Sequence, residues 1–199
     1  SIIEVKSREL NAKILFSIQM ANQGYSVVLG KKKNLYRYAK YFKRGIFFFK
    51  GMGPRNKKPM QDIAKLNHKI VGYDEEGMVM NMPSIIPLRI DSTCMKLVDY
   101  FFTVGDIQKK NTLKCYSNYK DKIVSVGNLR FDLMKKQIRN IYKNEVELIK
   151  KKYGNFILFP SKFTIINNYY FRKLPPDLLK RNDVKTDFDD QKKVEKKLL

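Results

Sequence analysis

Lys69-Ile-Val-Gly-Tyr-Asp-Glu-Glu-Gly77 decides how this chain folds. Residues 69–73 are a short apolar run containing Ile70 and Val71, and three acids and a glycine follow at once. A run of this length closed by turn residues reads as a buried strand. In an α/β domain the loop after such a strand lies at the carboxyl edge of the sheet, where clefts form. Asp74, Glu75 and Glu76 are therefore the first candidates for chemistry. Adjacent carboxylates repel one another, and crowding in a partly dry cleft favours keeping a proton, which suits a general acid or base. The plainer alternative is a solvated turn that caps the next element.

The flanking sequence keeps the same rhythm. Residues 1–5 read as a strand, and Leu10, Ile14, Leu15, Ile18 and Ala21 then recur at helical spacing behind Ser7, a candidate N-cap. Gly24 ends that helix, and residues 26–29 give a second strand closed by Gly30. No G-x-G-x-x-G stands at the first turn, so the dinucleotide fingerprint is absent. A helix over 35–42, a strand over 45–49 and a helix over 58–66 lead to the quoted stretch. His68, just ahead of it, reads as an exposed loop histidine. Beyond lie an irregular, proline-containing loop over 78–87, a short helix capped by Asp91, a strand over 99–104, a helix opening at Gly105-Asp106 and a strand over 122–126. Such alternation predicts an α/β fold, a Rossmann-like parallel sheet with helices on both faces.

Val126-Gly-Asn-Leu-Arg-Phe-Asp132 is a second strand end. If a helix begins near Arg130, its free N–H groups and the guanidinium could hold a phosphate or carboxylate. Alternatively this is an ordinary turn in which Asp132 compensates the helix dipole and pairs with Arg130. A charged helix over 133–152, an apolar strand over 155–159, a polar loop over 161–168 and a mostly charged segment over 177–199 complete the chain. The domain reading is 1–132 as the Rossmann-like domain, 133–172 as a linker helix and the beginning of an incomplete second domain, and 173–199 as a charged tail. Starting inside a strand and ending in a polar tail, the chain reads as part of a longer protein.

Of the 199 residues, 43% are apolar and 13% aromatic, enough for a real core. The net charge of +22 points to nucleic acid, an anionic membrane surface or a phosphorylated ligand. Lysines dominate that charge and are scattered among plentiful Asn, Ile, Tyr and Phe, as in a proteome of biased composition. Most therefore read as solvated faces. Two cysteines without a C-x-x-C pair and a single histidine indicate neither a disulfide framework nor a zinc site. With no apolar run near the roughly 18 residues of a spanning helix and no signal peptide, the expectation is a cytosolic protein, able to sit on the inner face of the membrane. Acids at strand ends, and no aromatic-basic recognition motif, argue against a specific nucleic-acid partner.

Three stretches together carry a resemblance. Glu4-x-Lys6-x-Arg8-Glu9-Leu10-x-Ala12-Lys13 with Gly24-Tyr-Ser-Val-Val-Leu-Gly30, then Asp74-Glu-Glu-Gly77, then Gly127-Asn-Leu-Arg-Phe-Asp132, are similar in order and spacing to the bacterial surface carbohydrate (surface polysaccharide) biosynthesis proteins. These resemble glycosyltransferases of the GT-B architecture. Tyr153-Gly-Asn-Phe-Ile-Leu-Phe, with Lys162-Phe163-Thr164 and Asn167-Asn168, resembles the opening of that family's second domain. Where the family has Gly-Asn-Pro-Arg this chain has Leu129, which leaves the turn less rigid.

The resemblance implies a nucleotide-sugar donor and a glycan acceptor, with no metal or other cofactor, and a donor site held mainly by the second domain. It places Glu4, Lys6, Arg8 and Glu9 at the interdomain cleft, Asp74, Glu75 and Glu76 nearby, and Asn128, Arg130 and Asp132 close to the hinge. Asp74 or Glu75, with Glu4 behind, would take the acceptor proton. Lys6, Arg8 or Arg130 would offset phosphate charge. The alternative for Glu4, Arg8 and Glu9 is a salt-bridge cluster at a helix start. Alternative functions are transfer of a polyol phosphate from a CDP-linked donor, or a non-catalytic basic binding module for nucleic acid or a membrane surface.

Overall fold

A computed structural model describes residues 2–78 and 82–158. The expected polar loop over 161–168 and the charged tail lie outside the described residues, as do residues 79–81 of the expected irregular loop. The chain divides into two compact units, Ser1–Asn144 and Glu145–Leu199.

In the first unit β1 (Ile2–Ile3), α1 (Lys6–Asn22), β2 (Gly30–Lys31) and α2 (Lys32–Tyr38) come first, then β3 (Ile46–Phe49), α3 (Lys57–Lys65) and β4 (Lys69–Tyr73). After these come α4 (Ile86–Arg89), α5 (Ser92–Leu97), β5 (Tyr100–Thr103), α6 (Asp106–Cys115), β6 (Ile123–Ser125) and the single turn α7 (Leu129–Asp132). All strand pairings are parallel: β1 with β2, and a four-stranded sheet in the order β3-β4-β5-β6. This is the α/β architecture that the alternation predicts.

Side chains alternate across a strand, so the two faces of the sheet can be read from the register. Phe47 pairs with Ile70 and Phe49 with Gly72, while Phe101 lies against Gly72 on one side and Ile123 on the other. These side chains share one face and form one core with Met60 and Ile63 of α3 and Met95 of α5. Gly72 has no side chain here because a Cβ would run into the Met52 thioether. The opposite face carries Phe48, Tyr73 and Phe102. Phe16 of α1 meets Phe48 edge-on with centroids 5.2 Å apart, and Phe48 lies 6.0 Å from Phe102. Helices thus cover both faces, as expected.

Several local expectations shift. The pairing of the second strand falls on Gly30–Lys31 rather than 26–29, because β1 offers only Ile2 and Ile3 before α1 begins. Ser7 is not the N-cap. The helix opens at Lys6 behind Val5, whose carbonyl accepts from the Arg8 and Glu9 N–H groups. His68 is buried, because its ring packs 4.9 Å from Phe47, its Nδ1 accepts from the Gly45 N–H and its Nε2 lies 3.2 Å from the Ala39 carbonyl. Asp91 does cap α5, accepting from the Thr93 and Cys94 N–H groups.

The continuous helix expected over 133–152 is broken: a 3₁₀ turn covers Arg139–Tyr142 and α8 (Lys143–Tyr153) begins only after it. There Asn11 of α1 donates to the Tyr142 hydroxyl at 3.0 Å. In the second unit, α8 continues to Tyr153 with every residue exposed. Residues 155–158 form no strand: Phe156, Ile157 and Leu158 are exposed, and no neighbouring strand among the described residues offers a ladder.

Candidate functional site

The loops after β1, β3, β4 and β6 deliver an unusual density of charge to the carboxyl edge. The first cluster joins the ends of β1 and β3. Lys50, directly after Phe49, donates to Glu9 Oε1 at 2.6 Å and to Glu4 Oε2 at 2.9 Å. Glu9 also accepts from the Glu4 N–H at 2.9 Å and from Arg8 at 3.2 Å. Burial alone would raise the Glu9 carboxyl, which is 1% exposed, but these donors win and hold it at about 2. The hydrogen bond from Lys50 likewise lowers Glu4. Burial works against the Lys50 ammonium, yet Glu9 and Glu4 more than offset it and raise its pKa. At the end of β1 the predicted Glu4, Arg8 and Glu9 do form a salt-bridge cluster, organised by Lys50.

The acids after β4 have three different environments. Asp74 is buried and gripped by the Arg89 guanidinium, with Nη2 at 2.5 Å and Nε at 3.0 Å. Gln108 of α6 adds a 3.3 Å hydrogen bond to Asp74 while its own oxygen accepts from the Val104 N–H at 2.7 Å. Gly77 makes room for that amide, since a Cβ there would overlap the Gln108 side chain. Glu75 is buried as well, in an ion pair with Lys13 of α1. Asn128 and Arg130 both donate to the Glu75 carbonyl at 3.2 Å, tying the β4 loop to the β6 loop. Tyr73 strengthens that tie through its hydroxyl, 2.8 Å from the Gly127 carbonyl. Only Glu76 turns to solvent, 3.7 Å from Arg8 and 4.0 Å from Arg89.

Two openings adjoin this network. A cavity of about 170 Å³ lies between the ends of β1, β3 and β4, with Glu4, Lys50, Asp74 and Glu76 in its wall together with Tyr36 and Asn56. A groove of about 460 Å³ runs between α1 and the segment after β6; Arg8, Arg130 and Arg139 line it with Ser7, Asn11 and Tyr142, and no carboxylate does. Glu76 belongs to the wall of the cavity and pairs with Arg8, which lines the groove, so this ion pair links the two openings.

Of the residues singled out in the sequence, Lys6 is exposed and lines neither opening. Asp132 pairs with Lys135 at 2.6 Å rather than with Arg130. The expected helix start at Arg130 is the single turn α7, and its Arg130 N–H is already taken by the Asn128 side chain at 3.0 Å. This turn thus leaves the Arg130 guanidinium, not the Arg130 backbone N–H, as the group that could face an anion. The structure adds Lys50, Arg89, Gln108 and Arg139, and gives a role to Lys13, which the first resemblance stretch contains. Lys13 carries a signal in retrospect, since it stands one helical turn after Glu9 and beside Ala12 on the buried side of α1. The others follow no local pattern.

Among the described residues no group of three or more His, Cys, Asp or Glu is placed to hold a metal ion, and no helix is long and apolar enough to cross a membrane. Both cysteines are free thiols, and burial pushes Cys94 up to about 11. Compared with family models, curated proteins and solved structures, the chain matches none.

Proposed function

We propose that the first unit belongs to a glycosyltransferase-like protein and carries both an acceptor site and a groove for the phosphates of a nucleotide-linked donor, from which a sugar moves to a glycan of the cell surface. One observation carries this: Arg8, Arg130 and Arg139, distant in sequence, line one groove with no carboxylate in its lining, and Arg8 links it through its ion pair with Glu76 to a polar cavity. The resemblance to surface polysaccharide biosynthesis proteins supplies the sugar chemistry.

In this scheme the groove takes the phosphates of the donor. Guanidinium forks match phosphate oxygens and offset the charge that grows on the leaving group as the bond from the sugar carbon to the phosphate oxygen breaks. The acceptor hydroxyl forms the new bond to that carbon and gives up its proton to a carboxylate. Asp74 and Glu75 are poorly suited to this step, each being buried in an ion pair. Glu76 has an exposed carboxylate in the cavity wall beside Arg8, and Glu4 lines the same cavity as the second candidate.

Calorimetric titration of UDP-, GDP-, CMP- and CDP-linked donors into wild type, Arg130→Ala and Arg139→Ala tests this reading. The expected result is one binding donor class, weakened about tenfold or more by either substitution, the magnitude of a lost charged hydrogen bond. A CDP-polyol that binds alone would move the chemistry to polyol phosphate transfer, with CMP as the product to look for. Absence of binding to any donor, or binding indifferent to both substitutions, would overturn the proposal.

A further inference from the structure

Two residues of the cavity wall carry polar atoms that the network leaves unused. The Tyr36 hydroxyl and the Asn56 side-chain oxygen are both buried without a hydrogen-bond partner. Such groups are costly, and in native proteins each calls for an explanation. Neither is misplaced by a loose environment. The Tyr36 ring stacks on Phe49 with centroids 5.5 Å apart, and the Asn56 amide nitrogen donates to the Gly51 carbonyl at 2.9 Å. Both residues belong to the wall of the same cavity.

We propose that this cavity is a subsite for one uncharged, polyhydroxylated ring, whose hydroxyls are read by Tyr36 and Asn56. Its volume of about 170 Å³ is several times the roughly 30 Å³ that a water occupies in the liquid, so it suits a single small polar molecule. Its wall offers an anion no uncommitted cation: Lys32 pairs with Glu4, and the carboxylates Asp74 and Glu76 have Arg89 and Arg8 as partners. Lys50 is already committed to Glu4 and Glu9. The two unused atoms are complementary. A phenol can donate, and burial together with the Glu4 charge raises its pKa so that it keeps its proton; an amide oxygen can only accept. Neighbouring hydroxyls of a sugar ring offer both functions. As the acceptor subsite this rests on the transferase reading; as a polyol site it stands on the cavity itself. In the former role, Glu76 in the same wall lies beside the bound ring, within the cavity that would hold the reacting hydroxyl.

The test is saturation-transfer NMR of the full chain with glucose, galactose and N-acetylglucosamine at millimolar concentration, beside a titration of inorganic pyrophosphate. Tyr36→Phe deletes only the hydroxyl. Its melting temperature is expected to be unchanged or raised, because an unpartnered buried group is lost, while sugar affinity falls about tenfold. Asn56→Ala is expected to weaken the sugar similarly. Binding of pyrophosphate with no binding of any sugar overturns the subsite and spares the groove. Binding of a sugar without pyrophosphate keeps the subsite and removes the transferase reading. Equal sugar affinity in wild type and Tyr36→Phe overturns the assignment of Tyr36 and the subsite with it.

Discussion

Glu75 and Lys13 form an ion pair almost wholly withdrawn from water, their side chains 5% and 6% exposed. The pair pins α1 to the loop after β4, and with it the position of Glu76. Losing one partner leaves an uncompensated buried charge, which costs about 3–5 kcal/mol. Lys13→Met should therefore lower stability in urea unfolding by that amount. Lys13→Met with Glu75→Leu should recover most of it, because the buried charge is then gone.

Glu9 makes stability depend on acid. Its carboxyl lies at about 2 in the folded chain against an ordinary 4.5, so the unfolded chain binds the proton more readily. The stabilisation is present in full above the ordinary value and is lost as pH falls toward 2. Lys50→Met removes its strongest donor and should shrink that acid-labile component. Unfolding free energy measured from pH 6 down to pH 2 checks this; the same slope in wild type and Glu9→Gln would refute it.

Gly77→Ala should disturb the site without touching a charge. The added methyl displaces the Gln108 amide, loosening both the Val104 N–H and Asp74. A cost of about 1–3 kcal/mol is expected, as for overpacking elsewhere. Gln108→Ala in the same chain should relieve the clash, and paired melting curves would show whether the second substitution recovers part of the loss.

The architecture was legible because it rests on period and punctuation. Residues 69–73 appear as β4 with the expected bounds, and Asp91 caps α5, since a buried apolar run and an Asx cap are local signals. Short elements were not legible. The bounds of β2 depend on which residues β1 leaves free, and the 3₁₀ turn that interrupts the helix expected from residue 133 carries no Gly or Pro to announce it. The site was legible in part. The strand-end acids do gather at one edge, but their division into two buried acids and one exposed acid depends on Arg89, Gln108 and Lys13, none of them adjacent in sequence. The groove had to wait for Arg139, which stands in a turn that carries no motif.

Glu76, in the cavity wall and paired with Arg8 of the groove, is the proposed base, and turnover tests that role most directly. Nucleotide release from the donor class that binds, followed in the presence of glycan acceptor, should be slowed a hundredfold or more in Glu76→Gln, the lower end of about 10²–10⁴ for a lost general base. Donor affinity should hardly change. Turnover by Glu76→Gln at the wild-type rate would contradict the account and return the search for the base to Glu4.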